Sequence, residues 1–98
     1  SATLTPQVFS LAPPYPNPFN PSVQLDYSLP EQTEVELQIY NILGQRIRTL
    51  VGQAQDAGFY RATWEGADDH GRSAGSGIYF IRLEAGSHLA TRKVLMLK

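Results

Sequence analysis

Apolar residues recur at every second position in separate stretches of this chain: Val23-Leu25-Tyr27-Leu29, Val35-Leu37-Ile39, Tyr60-Ala62-Trp64 and Tyr79-Ile81-Leu83. Successive side chains of a strand point to opposite faces. This spacing therefore puts one face of each stretch in a core and the other in water. No stretch has the apolar spacing of an amphipathic helix of useful length. The pattern predicts an all-β fold, an antiparallel β-sandwich of about seven short strands with turn signals every 8–12 residues or so.

The stretch from Trp64 to Leu83 reads as the centre of that domain. A strand ends in the only Trp, a connection rich in Gly, Asp and Ser follows, and an aromatic strand begins. Glycines tolerate positive φ and aspartates bond nearby backbone, so the connection is built for turns.

On the N-terminal side, Ser1 to Gln7 read as a frayed end or linker remnant. Pro13, Pro14, Pro16, Pro18 and Pro21 then rule out a helix and a central strand. Phe9, Leu11, Tyr15 and Phe19 are spaced to pin this extended segment to a surface as a strap. Pro18 and Pro21 also have the PxxP spacing of a proline-directed recognition motif, a pattern too common to carry weight by itself. Further on, Asn41 to Arg46 read as a turn with Gly44 at its special position. Ile47 to Val51 read as a strand with Arg46 and Arg48 outward, and Gly52 to Gly58 as a polar loop. Glu84 to Ser87 form a hairpin turn before a last strand from about Leu89 to Leu97. Val94-Leu95-Met96-Leu97 does not alternate, so periodicity does not say which side faces inward.

Ninety-eight residues make one domain with room for one core. Hydrophobic residues at 42% and charged residues at 17% suit an ordered fold. A net charge of −1 supplies no global field for nucleic acid or an acidic membrane surface. The absence of cysteine rules out disulfides and thiolate chemistry and leaves the compartment open. No run has the apolar length of a membrane span, and no export leader is recognisable, so an exported form would carry its signal upstream on a longer chain.

Candidate chemistry is sparse. Glu65, Asp68 and Asp69 are the calcium candidates, since calcium takes oxygen ligands, yet their spacing is that of a solvated turn. His70 and His88 lie on separate turns with no third ligand evident. Ser73, Ser76 and Ser87 lack the context of a nucleophile. Asp26, Glu34 and Glu36 alternate with apolar residues and read as outward strand residues. The domain is expected to be no enzyme and to need no cofactor. Most aromatics fall on core faces. Arg92 to Lys98 is basic at both ends and apolar between, as suits an edge strand or a terminal peptide read by a partner through strand addition.

Several motifs then occur together and in order: Tyr15-Pro16-Asn17-Pro18-Phe19-Asn20-Pro21, Tyr40-Asn41-Ile42-Leu43-Gly44-Gln45-Arg46, Trp64-Glu65-Gly66 with Asp69 and Gly71, Ser76-Gly77-Ile78-Tyr79-Phe80, and the ending Lys93 to Lys98. This set resembles the C-terminal sorting domains (type A) of type IX secretion in Bacteroidetes and neighbouring phyla. These are similar to the immunoglobulin-like domain of flagellar hook-capping proteins. The resemblance implies a linker and strap over residues 1–21 and an immunoglobulin-like sandwich over 22–98. It implies a non-catalytic module at the C-terminus of a larger secreted protein. Its partners would be the outer-membrane type IX translocon, a sortase-like protease and an upstream cargo domain, with passage through the periplasm to the cell surface or medium. The family's recognition residues map onto Gly77, Tyr79, Lys93, Val94 and Lys98. Gly75-Ser76 departs from it, since many members carry a proline near this point. On this view the free carboxyl end of the last strand lies at the molecular edge beside the strap, and a partner reads this end by main-chain pairing together with contacts to Lys93 and Lys98. The other functions weighed are a structural spacer or assembly domain and a carbohydrate-binding accessory module of a polysaccharide-degrading enzyme, the latter expecting exposed aromatics on one sheet. Exposed edges also leave room for a homodimer.

Overall fold

The structure is a computed structural model that describes residues 6–98. The linker reading of Ser1 to Gln7 therefore falls mostly outside the described residues. The alternating stretches become β2 (Val23–Leu29), β3 (Thr33–Asn41), β5 (Gly58–Trp64) and β6 (Gly77–Ala85), joined by β1 (Ser10–Leu11), β4 (Arg46–Gln55) and β7 (His88–Met96). They form two antiparallel sheets, one ordered β1-β2-β5 and the other β4-β3-β6-β7. This is the expected immunoglobulin-like sandwich, without helix among the described residues.

The core is what the alternation predicts. Val23, Leu25, Tyr27 and Leu29 of one sheet face Val35, Leu37, Ile39, Ile81, Leu83 and Val94 of the other, all buried. Burying each such side chain stabilises the fold by about 1.5–3 kcal/mol. Phe59, the outward neighbour of Tyr60, is 69% exposed.

The strands flanking the Trp64–Leu83 stretch are not partners. Among the described residues β5 pairs only with β2, and β6 lies between β3 and β7 in the other sheet. The connection between them is long because the chain changes sheets there. Trp64 at the end of β5 and Tyr79 near the start of β6 meet across the core edge to face, with centroids 5.1 Å apart. Phe19 of the strap packs against Trp64 with its ring tilted by 54° and centroids 5.4 Å apart. Three parts of the chain thus share one aromatic cluster. Its polar tips are satisfied nearby: Trp64 Nε1 donates to the Ala67 carbonyl at 2.9 Å, and the Tyr79 hydroxyl donates to the Gly75 carbonyl at 2.6 Å. The second contact is the tyrosine corner of immunoglobulin-like sandwiches. Close packing continues at Gly66, where φ is +76° and an added Cβ would lie 2.8 Å from Met96 Sδ.

The strap is part of the sandwich rather than an appendage. Leu11 and Phe19 belong to the core, so packing is continuous across residues 21 and 22. Its first half pairs with β2 through Ser10, Leu11 and Tyr15, and its second half crosses to β7, where Phe19 bridges Met96 in parallel. The peptide bonds before Pro16, Pro18 and Pro21 are cis.

Two readings of β4 need correction. Gly52 to Gln55 are strand rather than loop, paired with Thr33 to Glu36. Their polarity reflects an outermost strand whose side chains meet water. Arg46 points outward, but a bulge between Ile39 and Tyr40 sets Arg48 opposite inward-facing Ile39. Arg48 is half-buried, and its Nη1 donates to the Asp68 carbonyl at 3.3 Å. The Asn41–Arg46 turn forms as read: Asn41 Oδ1 accepts the Leu43 and Gln45 amides, each at 3.0 Å, and Gly44 takes φ +81°.

Replacing Phe19 with Ala is expected to cost about 3–5 kcal/mol, since it empties a fully buried aromatic site. Tyr79→Phe, which leaves the ring and removes the corner hydrogen bond, is expected to cost about 1 kcal/mol. Urea unfolding of the two variants checks both the order and the size of these losses.

Candidate functional site

Strand β7 lies at an edge of the four-stranded sheet. Its outward backbone is already occupied over the final residues. Asn17 Nδ2 donates to the Lys93 carbonyl at 3.4 Å, and Asn17 Oδ1 accepts the Leu95 amide at 3.0 Å. The Phe19 amide donates to the Leu95 carbonyl at 2.9 Å, and the Phe19 carbonyl accepts the Leu97 amide at 3.1 Å. The Asn17 carboxamide stands in for a peptide group and Phe19 supplies a real one. Main-chain pairing by a partner along Lys93 to Leu97 is therefore closed while the strap is seated. The expected open edge is corrected here, because the strap's own hydrogen bonds had no sequence signature.

Side chains of the ending divide by face. Val94 and Met96 are in the core, whereas Lys93, Leu97 and Lys98 are exposed. Lys98 is tied to the connection before β6: its amide donates to Ser76 Oγ at 3.0 Å, and its Nζ hydrogen-bonds Ser73 Oγ. Gly77 opens β6 at φ +150°, with nothing within 4 Å of an added Cβ. Tyr79 is 7% exposed and Val94 is fully buried, so neither presents its side chain to a partner. Of the residues singled out by resemblance, Lys93 and Lys98 reach the surface with charge.

The calcium candidates are not gathered around a common point: no group of His, Cys, Asp or Glu among the described residues is arranged to hold a metal ion. The aspartates bind backbone instead. Asp68 Oδ1 accepts the His70 and Arg72 amides, each at 2.9 Å, and Oδ2 meets Arg72 Nε at 3.2 Å. These bonds, the Arg72 amide foremost, hold the Asp68 carboxyl below its ordinary pKa. Asp69 Oδ1 accepts the Thr49 amide at 3.0 Å, and the Asp69 amide donates to the Ile47 carbonyl at 2.9 Å. The acidic turn thereby covers part of the outer edge of β4.

The outer face of the three-stranded sheet carries a cluster that sequence reasoning missed. Asp26 and Arg61 are cross-strand partners. Arg61 Nε meets Asp26 Oδ1 at 2.9 Å and Nη2 meets Oδ2 at 3.3 Å, a two-pronged pair. Tyr15 donates its hydroxyl to Asp26 Oδ2 at 3.0 Å and accepts from Arg61 Nη2 at 2.8 Å. The Arg61 hydrogen bond pulls the Asp26 carboxyl below its ordinary pKa, against a smaller upward push from burial. Only the register of β2 on β5 could have revealed the pair. On the opposite outer face, Tyr40, Phe80 and Arg82 line a second groove of about 360 Å³.

Asp26 and Asp68 both have lowered pKa values in the folded protein. Their contribution is therefore complete above the unfolded value of about 3.9 and is lost as pH falls through the lowered folded values. The melting temperature is expected to fall as pH drops below about 4, and Asp26→Asn should flatten that limb. Thermal melts of both proteins across this range measure the difference.

The comparisons with known proteins agree with the architecture. The FlgD Ig-like domain family matches residues 20–88. No curated protein matches the chain. Among solved structures, dimeric latent PorU from Porphyromonas gingivalis superposes with a TM-score of 0.72 at 16% identity, over 92% of this chain and 9% of that one. PorZ of the same organism, described as an essential bacterial surface component of the type IX secretion system, superposes with a TM-score of 0.60 at 14% identity, over 92% and 11%. The chain thus spans about a tenth of either neighbour, and at these identities the likeness is one of fold. With 69 consecutive positions matched and the two-sheet topology to go with them, the chain belongs to the FlgD Ig-like domain family.

Proposed function

We propose that this domain is a type IX sorting module, carried by a larger secreted protein and read at the outer membrane through the exposed side chains of its last strand. The observation that carries the proposal is the arrangement of β7. It is an edge strand whose core-facing residues anchor it, while Lys93, Leu97 and Lys98 stand on the surface. The ordered motifs of the sorting domains accompany it, and a surface component of a type IX system contains the same fold. Since the strap fills the strand's outward hydrogen bonds, a translocon or sortase-like protease would read charge and shape rather than backbone. The domain acts here as a passenger label and not as a catalyst. Its best-placed carboxylates, those of Asp26, Asp68 and Asp69, serve an ion pair and backbone amides.

Deleting residues 93–98 would remove Val94 and Met96 from the core and confuse unfolding with loss of signal. The cleaner test is Lys93→Glu with Lys98→Glu in the full-length protein, in the bacterium that makes it. At unchanged melting temperature of the domain, surface and medium levels of the cargo are expected to fall at least fivefold, with accumulation in the periplasm. Export at the parental level would refute the reading.

A further inference from the structure

We propose that the outer face of the three-stranded sheet is a binding site for a neutral glycan, independent of the sorting role. Ser10, Ala12, Asp26, Ser28, Phe59 and Arg61 line an open groove of about 430 Å³ there, within the size range of small-ligand sites. Two aromatic rings flank the Asp26–Arg61 pair. Phe59 is 69% exposed and Tyr15 is 43% exposed. The electron-rich face of such a ring attracts the polarised C–H groups on one face of a pyranose.

The polar groups between the rings are held in position and incompletely used. A carboxylate offers about four lone-pair directions. Arg61 Nε, Arg61 Nη2 and the Tyr15 hydroxyl occupy three at Asp26, which leaves an acceptor on Oδ1. The guanidinium keeps both Nη1 hydrogens free of any partner among the described residues. Asp26 can accept from one sugar hydroxyl at Oδ1, and Arg61 can donate to another from its Nη1 edge, which faces away from Asp26. The hydroxyls of Ser10 and Ser28, 2.7 Å apart, extend the polar floor toward Phe59. The ion pair cancels its own charge, so the groove favours an uncharged ligand. Tyr15 locks the pair from the strap side, which lowers the ordering cost of binding.

The test is affinity electrophoresis of the chain through gels containing dextran, galactomannan, xylan or a β-1,3-glucan, with alginate as the anionic arm. At least one neutral polysaccharide is expected to retard the protein. Phe59→Ala and Arg61→Ala should each weaken that retardation at least tenfold. Phe80→Ala, on the opposite sheet, should leave it intact, with near-ultraviolet circular dichroism confirming that all variants are folded. Retardation by none of the neutral gels, retardation by alginate alone, or retardation that survives both substitutions would overturn the proposal.

Discussion

The contact of Phe19, Trp64 and Tyr79 is the point on which the two sheets and the strap depend. Each ring comes from a different part of the chain, and each is almost wholly buried. Phe19 in its pocket fixes the strap, and Asn17 lies two residues away, so the same anchor aligns the carboxamide with β7. Trp64 and Tyr79 hold the two ends of the connection between sheets, through Ala67 and Gly75. Aromatic pairs of this kind add about 0.5–1.5 kcal/mol beyond area burial. Loss of one ring would loosen the strap, the crossover and the end of β7 together.

The same logic governs the edges of the four-stranded sheet. Unpaired edge strands are templates for unwanted pairing, and natural sheets cover or charge them. Here both outer strands are covered by the same device, an Asn or Asp side chain together with a backbone amide. Asn17 and Phe19 do this for β7, and Asp69 does it for β4 at Ile47 and Thr49. Of the acidic residues that suggest a calcium loop, Asp69 thus covers a strand edge and Asp68 closes its own turn.

Much of this fold is legible in the sequence because it rests on period-two burial. The inward sets of β2, β3, β5 and β6 follow from alternation alone, and the turn at Gly44 follows from its side-chain chemistry. What alternation cannot carry is partnership. It places Trp64 and Tyr79 inward but does not say that they belong to opposite sheets. It ends β4 at Val51 and calls Gly52 to Gln55 a loop where an edge strand is polar, and it misses the bulge that turns Arg48 inward. The candidate site is less legible still. Lys93 and Lys98 are visible as charges, whereas the Tyr15–Asp26–Arg61 cluster exists only through register and the course of the strap. Resemblance pointed at Tyr79 and Val94 as well, and their burial shows that an informative motif can record packing rather than contact.

The geometry of the ending also bears on when it can be read. Lys93 and Leu97, the latter one residue past the end of β7, are four positions apart, an even separation that keeps side chains on one face. Lys98 leaves that line and is held by Ser73 and Ser76, more than twenty positions earlier in the chain. Asn17, nearly eighty positions away, holds the backbone at Lys93 and Leu95. The relative placement of the two lysines is therefore a property of the closed sandwich, not of the terminal peptide. In an unfolded chain the strap, the serines and the strand separate, and the same six residues present a flexible basic peptide. Under the proposed sorting role, a partner that reads this placement would read completed folding, and capture of the tail would depend on the integrity of the domain that carries it.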